Sequence, residues 1–355
     1  MENAEVDGIL YPRSFVRALG SLVYLRYLSV RNVSLSLMPS IQSMVLLQTL
    51  KLDVISLISI PSWLSRNVLG KLGHLRHLYL PISEWRTAPK KQKLRFDGLG
   101  KLETLENFSN LWCEAKDLPK LINLQKLKLE IYSSYADVKE TMKNLSALAL
   151  SSSSNLRYLG LSLTFYDQPV EDVRELFWDY NSILQMLNIS GQLAELAQLF
   201  ENQPRNINNH VVESPIRITS LTLEYSLLVD DPMPVLEKFP TLRYLDLSYD
   251  SYVGKEMVCS SKGFPKLTSL ILCMLPNLVK WNIEEGSMSL LTNLRIDRCW
   301  MLEELPEGLI FLTSLQHLWL DSMPIDFIHK LCTTNGTQGQ DYYRVAHFPH
   351  IDITQ

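Results

Sequence analysis

Leu315-Gln316-His317-Leu318-Trp319-Leu320 is the stretch that decides the fold. Its second and third leucines stand two apart, a spacing that points both to one face of an extended strand. The first leucine, three residues before the second, would suit a helix equally well, but a helix has no good place for a third apolar residue at i+5. The same signature appears near the other end as Leu47, Leu50 and Leu52.

Counted by its first residue, the signature starts at Leu25, Leu47, Leu75, Leu102, Leu124, Leu156, Leu184, Ile218, Leu242, Leu267, Leu291 and Leu315. Of the 36 positions these twelve copies define, only Asn107 is not Leu, Ile or Val. The spacings run from 22 to 34 residues, and a period in this range is the mark of leucine-rich repeats, each contributing one short strand and a return segment. A single repeat cannot bury its apolar face, but stacked neighbours share a continuous core. Pro39, Pro61, Pro119, Pro240, Pro265 and Pro306 all fall between the strands, which argues against a set of amphipathic helices. Ile60, Pro61 and Leu64, and later Leu302, Leu305, Pro306 and Leu309, read as anchors of the return segments. The expected fold is therefore α/β: a leucine-rich-repeat solenoid, horseshoe or arc, with a parallel sheet on its concave face and irregular or short helical segments on its convex face.

The organisation follows the regularity of the text. Residues 1–21 read as a partial repeat or N-terminal cap, 22–200 as an N-terminal arc, 201–214 as an irregular insertion, 215–329 as a C-terminal arc and 330–355 as a capping tail. Phe327, Ile328 and Leu331 suit closure of the stack, and the alternation from Asp341 to Ile353 suits one more strand. Ser151–Ser154 reads as a loop. The array begins without an evident cap, as a fragment of a longer receptor would.

Composition removes several function classes. The net charge is −4, from 34 basic and 38 acidic residues, which gives no support to a nucleic-acid footprint. There is no run of 18 apolar residues, so no membrane span is indicated. The first twenty residues carry acidic groups where a secretory signal carries basic ones, and the chain reads as cytoplasmic. The five cysteines show no framework spacing. Cys299 falls at an inward position, suited to a small side chain meeting backbone. Asn-x-Ser/Thr triplets at Asn32, Asn107, Asn144, Asn188 and Asn335 read as incidental without such a signal. No phosphate-binding glycine loop, H-E-x-x-H helix or G-x-S-x-G elbow is present. His74 with His77, and His347 with His350, lack the companions of a metal site. The chain reads as a non-enzyme with no cofactor and no metal.

The residues between the leucines carry the functional expectation, because they share the solvent face of the sheet. In the first units these are Tyr27, Ser29 and Arg31, then Lys51, then His77 and Tyr79. Lys128 and Tyr158 follow, then Tyr244 and Asp246, Arg295 and Asp297, and His317, Trp319 and Asp321. Tyr, Trp and Arg most often dominate interface energies, so the row reads as a protein-binding surface. Trp319 leads it, since an exposed indole calls for a partner or a covering tail.

Four passages stand out: Leu99-Gly-Lys-Leu-Glu-Thr-Leu-Glu-Asn-Phe108, the late units Leu291–Cys299 and Leu302–Leu309, and Asp341-Tyr-Tyr-Arg-Val-Ala-His-Phe-Pro-His-Ile351. They resemble the repeat region of plant intracellular disease resistance proteins of the coiled-coil, nucleotide-binding, leucine-rich-repeat class. The resemblance implies a recognition module for plant defence. Its partner would be a pathogen effector, a guarded host protein or a nucleotide-binding switch domain. The coiled-coil and nucleotide-binding segments are absent from this sequence, so nucleotide binding and signalling are not implied. The alternatives are a substrate adaptor of the ubiquitin-ligase type and a truncated receptor fragment without independent signalling activity.

Overall fold

The computed structural model describes residues 3–7, 21–31, 41–53, 69–81, 93–132, 135–151, 153–165, 180, 182–193, 196, 205–207, 210–212, 217–332 and 338–354. It divides into two compact units, Met1–Ser162 and Leu163–Gln355.

In the first unit the strands are β1 (Asn3–Asp7), β2 (Tyr27–Arg31), β3 (Thr49–Asp53), β4 (His77–Tyr79), β5 (Thr104–Ser109), β6 (Lys126–Tyr132) and β7 (Tyr158–Thr164), the last crossing the division. They lie side by side in sequence order, and the pairing from β1 to β6 is parallel. Register follows the signature, with Leu28, Leu50, Leu78, Leu105 and Leu127 forming one buried row. The first leucine of each signature closes a tight turn: Leu25, Leu47, Leu75, Leu102 and Leu124 each donate their N–H to the carbonyl three residues back. The next residue's carbonyl then accepts two N–H groups from the following repeat, as Arg26 does from Gln48 and Thr49. Backbone satisfaction thus passes from repeat to repeat.

The single departure from the signature has a structural cause. Asn107 adopts a left-handed backbone (φ 62°), and the register of β5 against β6 shifts between Leu105 and Phe108. One extra residue makes a β-bulge, so Phe108 takes the core position that Asn107 would have occupied. Phe108 is buried, its ring 5.6 Å from that of Phe96, and Asn107 Nδ2 donates to the Leu80 carbonyl at 2.7 Å. The long repeat after Leu124 accommodates helix α1 (Tyr135–Ala149), which buries Met142, Leu145 and Leu148. Beyond it, Ser154 donates to the Ser151 carbonyl in a turn.

The second unit contains β8 (Leu184–Ser190), the antiparallel pair β9 (Arg205–Ile207) and β10 (His210–Val212), and then β11 (Ser220–Glu224), helix α2 (Met233–Leu236) and β12 (Tyr244–Ser248). There follow β13 (Glu256–Cys259), β14 (Ser269–Cys273), β15 (Lys280–Ile283), β16 (Asn293–Asp297), β17 (His317–Asp321), helix α3 (Ile325–Leu331) and β18 (His350–Thr354). Its main sheet runs β8-β11-β12-β14-β16-β17-β18 and is parallel throughout. In the return segments β13 and β15 pair in parallel, and Gly308 passes so close to the Ile283 carbonyl that a Cβ there would overlap it. Leu302, Leu305 and Leu309 are buried as anchors; Ile60, Pro61 and Leu64 lie outside the described residues. Phe327, Ile328 and Leu331 are buried. The tail does not form a strand along its whole alternating stretch. Tyr342–Arg344 is a 3-10 turn, because buried Arg344 reaches the Leu305 carbonyl and the Glu304 carboxylate instead. Of the described tail residues, only His350–Thr354 joins the sheet.

Candidate functional site

Strand alternation presents every second residue on the face opposite the core. In the first unit that face holds two groups of side chains. The Lys51 ammonium lies 5.9 Å from the Tyr27 ring centre and 5.0 Å from that of Tyr79, the arrangement in which a cation gains from two aromatic faces. On β5, Glu106 meets Lys126 at 2.7 Å and Lys128 at 3.0 Å, and Lys126 also lies 5.2 Å over Tyr158. Burial pushes the Glu106 carboxyl up, but the two lysines outweigh it and hold it below its usual range. His77 Nδ1 is 3.1 Å from the Thr104 hydroxyl. Arg31 ends β2 exposed to solvent.

In the second unit the face is acidic at one place and aromatic at another. Asp246 accepts from the Tyr244 hydroxyl at 3.1 Å and from Ser248. Burial raises its carboxyl despite those two donors. Glu224 on the adjacent strand is raised by burial first and by the Asp246 charge second. The same environment pushes the Tyr244 hydroxyl up to about 12. Farther along, Arg295 bonds Asp321 at 2.8 Å. Trp319 stacks on His317 (5.2 Å, 13°), which stacks in turn on His350 of β18 (4.8 Å, 11°). Trp319, Arg295, Asp321, Asn293, Ser269 and Ile271 line a hollow of about 380 Å³. Ile271 faces this hollow between Asp246 and Arg295, its register partners on either side.

Two residues read as solvent-facing are in fact covered. Ser29 is buried, in register with Lys51 of β3. Asp297 is 3 % exposed, enclosed by Arg298 at 2.8 Å, Arg295 at 3.7 Å and the Cys273 thiol at 3.4 Å. Burial raises the Asp297 carboxyl, but the Arg298 bond and the Cys273 thiol together bring it below the ordinary range. Trp319 is half-buried, its ring joined to the tail strand through His317. Sequence reasoning passed over Glu106, Glu224, Ser248 and His350. Glu106, Glu224 and Ser248 stand at ordinary solvent-facing slots of their signatures, which residue type alone did not mark as part of a site. His350 joins the row only through the register of β18 on β17.

The cysteines are structural in setting. Cys113, Cys259, Cys273 and Cys299 are buried and free, and burial pushes the Cys259 and Cys299 thiols up to about 12, away from the reactive thiolate. Cys299 Sγ lies 3.7 Å from the carbonyls of Leu272 and Asp297, the inward position its spacing indicated. Among the described residues no group of three His, Cys, Asp or Glu side chains is placed to hold a metal ion. No described helix is long and apolar enough to cross a membrane.

The profile of the family described as leucine-rich repeat region matches residues 11–322. A probable disease resistance protein of Arabidopsis thaliana is 34% identical over 99% of this chain and 37% of its own length. Disease resistance protein RPP8 of the same plant is 31% identical over 95% of this chain and 34% of its own. The chain thus spans about a third of the curated relatives it matches. Among solved structures, an internalin from Listeria monocytogenes is similar at a TM-score of 0.46 with 15% identity, covering 94% of this chain and 82% of that one.

Proposed function

The chain belongs to the leucine-rich repeat region family, and on that premise we propose that it recognises a protein partner through the open sheet face of its second unit. It is a non-catalytic module homologous to the repeat region of plant disease resistance proteins. The process it serves is defence, in the cytoplasm. The ligand is a pathogen effector, a host protein or the switch domain of a receptor. The observation that carries this reading is the hollow between Ile271, Arg295 and Trp319. It combines an indole wall, an apolar floor and an Arg–Asp pair, the side-chain chemistry in which interface hot spots concentrate.

The test compares the proteins retained by the intact chain with those retained by Trp319→Ala and by Arg295→Ala. Loss of at least one specific partner in both variants is the expected result. Identical partner sets for all three chains would sink the reading. Circular dichroism guards the comparison, since both residues lie on the face opposite the core and their loss should leave the fold unchanged.

A further inference from the structure

The rim where the strands of the second unit end carries a surface that the sheet face does not explain. Tyr225, Leu227 and Val229 follow β11 and are 49%, 42% and 74% exposed, alternating with buried Ser226 and Leu228. Tyr249, which follows β12, is 36% exposed, and its ring stacks on Tyr225 at 5.4 Å and 18°. Backbone bonds clamp the two segments together: Tyr225 donates to the Tyr249 carbonyl at 2.7 Å and Leu227 to that of Asp250 at 3.0 Å. Two stacked tyrosines, with Leu227 and Val229 exposed on the same hydrogen-bonded segment, thereby form an outward apolar rim. Contiguous exposed apolar surface of this kind marks interaction sites more often than chance.

The backbone makes the patch harder to dismiss. Tyr225, Leu227, Tyr249 and Asp250 all have positive φ, between 52° and 55°, a region that costs a branched or bulky side chain energy and that glycine enters freely. Strands β14, β16 and β17 are each followed by one such residue, Met274, Arg298 and Ser322. Here four stand together, and three of them present large side chains to solvent.

Charge defines what can cover the patch. Segments 224–231 and 248–253 contain Glu224, Asp230, Asp231 and Asp250 and no basic residue. Asp231 is occupied by the backbone N–H groups of Met233 and Val258, whereas Asp230 is exposed and Asp250 and Glu224 are half-exposed. Arg298, which follows β16, is held by Asp297 at 2.8 Å, and exposed Lys255 lies two residues beyond the second segment. An apolar patch edged by carboxylates is complementary to apolar side chains edged by cations. Lysine or arginine stems can lie across the stacked tyrosines while their charged ends reach the acids.

We propose that the rim formed by Tyr225, Leu227, Val229 and Tyr249 docks a protein segment in which apolar residues are flanked by lysine or arginine, separately from any ligand of the sheet face.

Fluorescence anisotropy with the full chain tests this. The probe is a labelled peptide of alternating leucine and lysine pairs. One control peptide replaces its leucines with serine, and a second replaces its lysines with glutamate. Both controls are expected to bind about tenfold more weakly or worse. The same loss is expected for the leucine–lysine peptide on Tyr225→Ser/Val229→Ser and on Asp230→Lys/Asp250→Lys chains, whose altered side chains are exposed or half-exposed and leave the core intact. Trp319→Ala is expected to bind it within about twofold of the parent. Equal binding of the serine control would reduce the attraction to charge alone and overturn the proposal, as would undiminished binding by either double variant. Sedimentation supplies the remaining outcome: self-association that Tyr225→Ser/Val229→Ser abolishes would make a second copy of the chain the occupant, and the proposal would fall.

Discussion

On the sheet face of the first unit, Lys51 rests between Tyr27 and Tyr79, and Glu106 is shared by Lys126 and Lys128. On that of the second, Glu224 and Asp246 stand on adjacent strands with hydroxyl donors and, among the described residues, no cation in hydrogen-bond contact. Each face rests on a parallel ladder of its own unit, backed by buried leucine rows. The first unit's charged and aromatic side chains largely satisfy one another. The second retains charge, an indole-walled hollow and an apolar rim that a partner can still use. An identical scaffold therefore says little about readiness to bind; what matters is whether the face has already spent its interactions internally.

The comparison can be broken first in the core. Phe108→Ala removes the ring that the Asn107 bulge places in the first unit and should cost about 3–5 kcal/mol, read by urea unfolding. A loss below about 1 kcal/mol would mean that the bulge does not anchor that unit.

The next effect belongs to the second unit. Asp297→Asn leaves Arg298 and Arg295 without their buried carboxylate and should cost about 1–2 kcal/mol at neutral pH. Because the folded carboxyl titrates below its usual range, its contribution is present above that range and is lost as pH falls through the lowered value. The gap between variant and parent should therefore close on acidification. A gap that stays constant down to pH 3 would assign the effect to packing.

Two smaller changes set the faces directly against each other. Glu106→Gln should destabilise by less than about 1 kcal/mol at neutral pH, the lysines being partly exposed and screened. Glu224→Gln should do the reverse and stabilise by a few tenths of a kcal/mol, since burial raises that carboxyl in the folded chain. A raised value favours the folded state below the ordinary carboxylate range, and that advantage disappears as pH rises through the folded value. The gain from Glu224→Gln should accordingly vanish in acid. Equal signs for the two variants, in parallel thermal melts, would erase the electrostatic contrast between the units.

Much of the scaffold was legible because side-chain alternation is a local property. Leu28, Leu50 and Leu78 declare an inward face within six residues of text, and all three are buried. Even the exception at Asn107 was visible as an exception, although not as a bulge that hands its place to Phe108. The binding face was legible as a set of positions and poorly as a set of interactions. Asp297 was on the right face and still covered, because Arg298 folds back over it from a left-handed residue that no spacing announces.

By itself, then, the sequence determined which residues form strands, which side of each strand is buried, and that successive strands stack in order. Those choices depend on neighbours two to five residues away. Tertiary structure alone decided that Lys126 serves both Glu106 and Tyr158, that His317 meets His350, and that Tyr225 meets Tyr249. Most of these partners sit on neighbouring strands separated by return segments of unequal length, with repeat spacings from 22 to 34 residues. Register, fixed by the backbone ladder, brings them within a few ångströms, and no pattern along the chain encodes that distance.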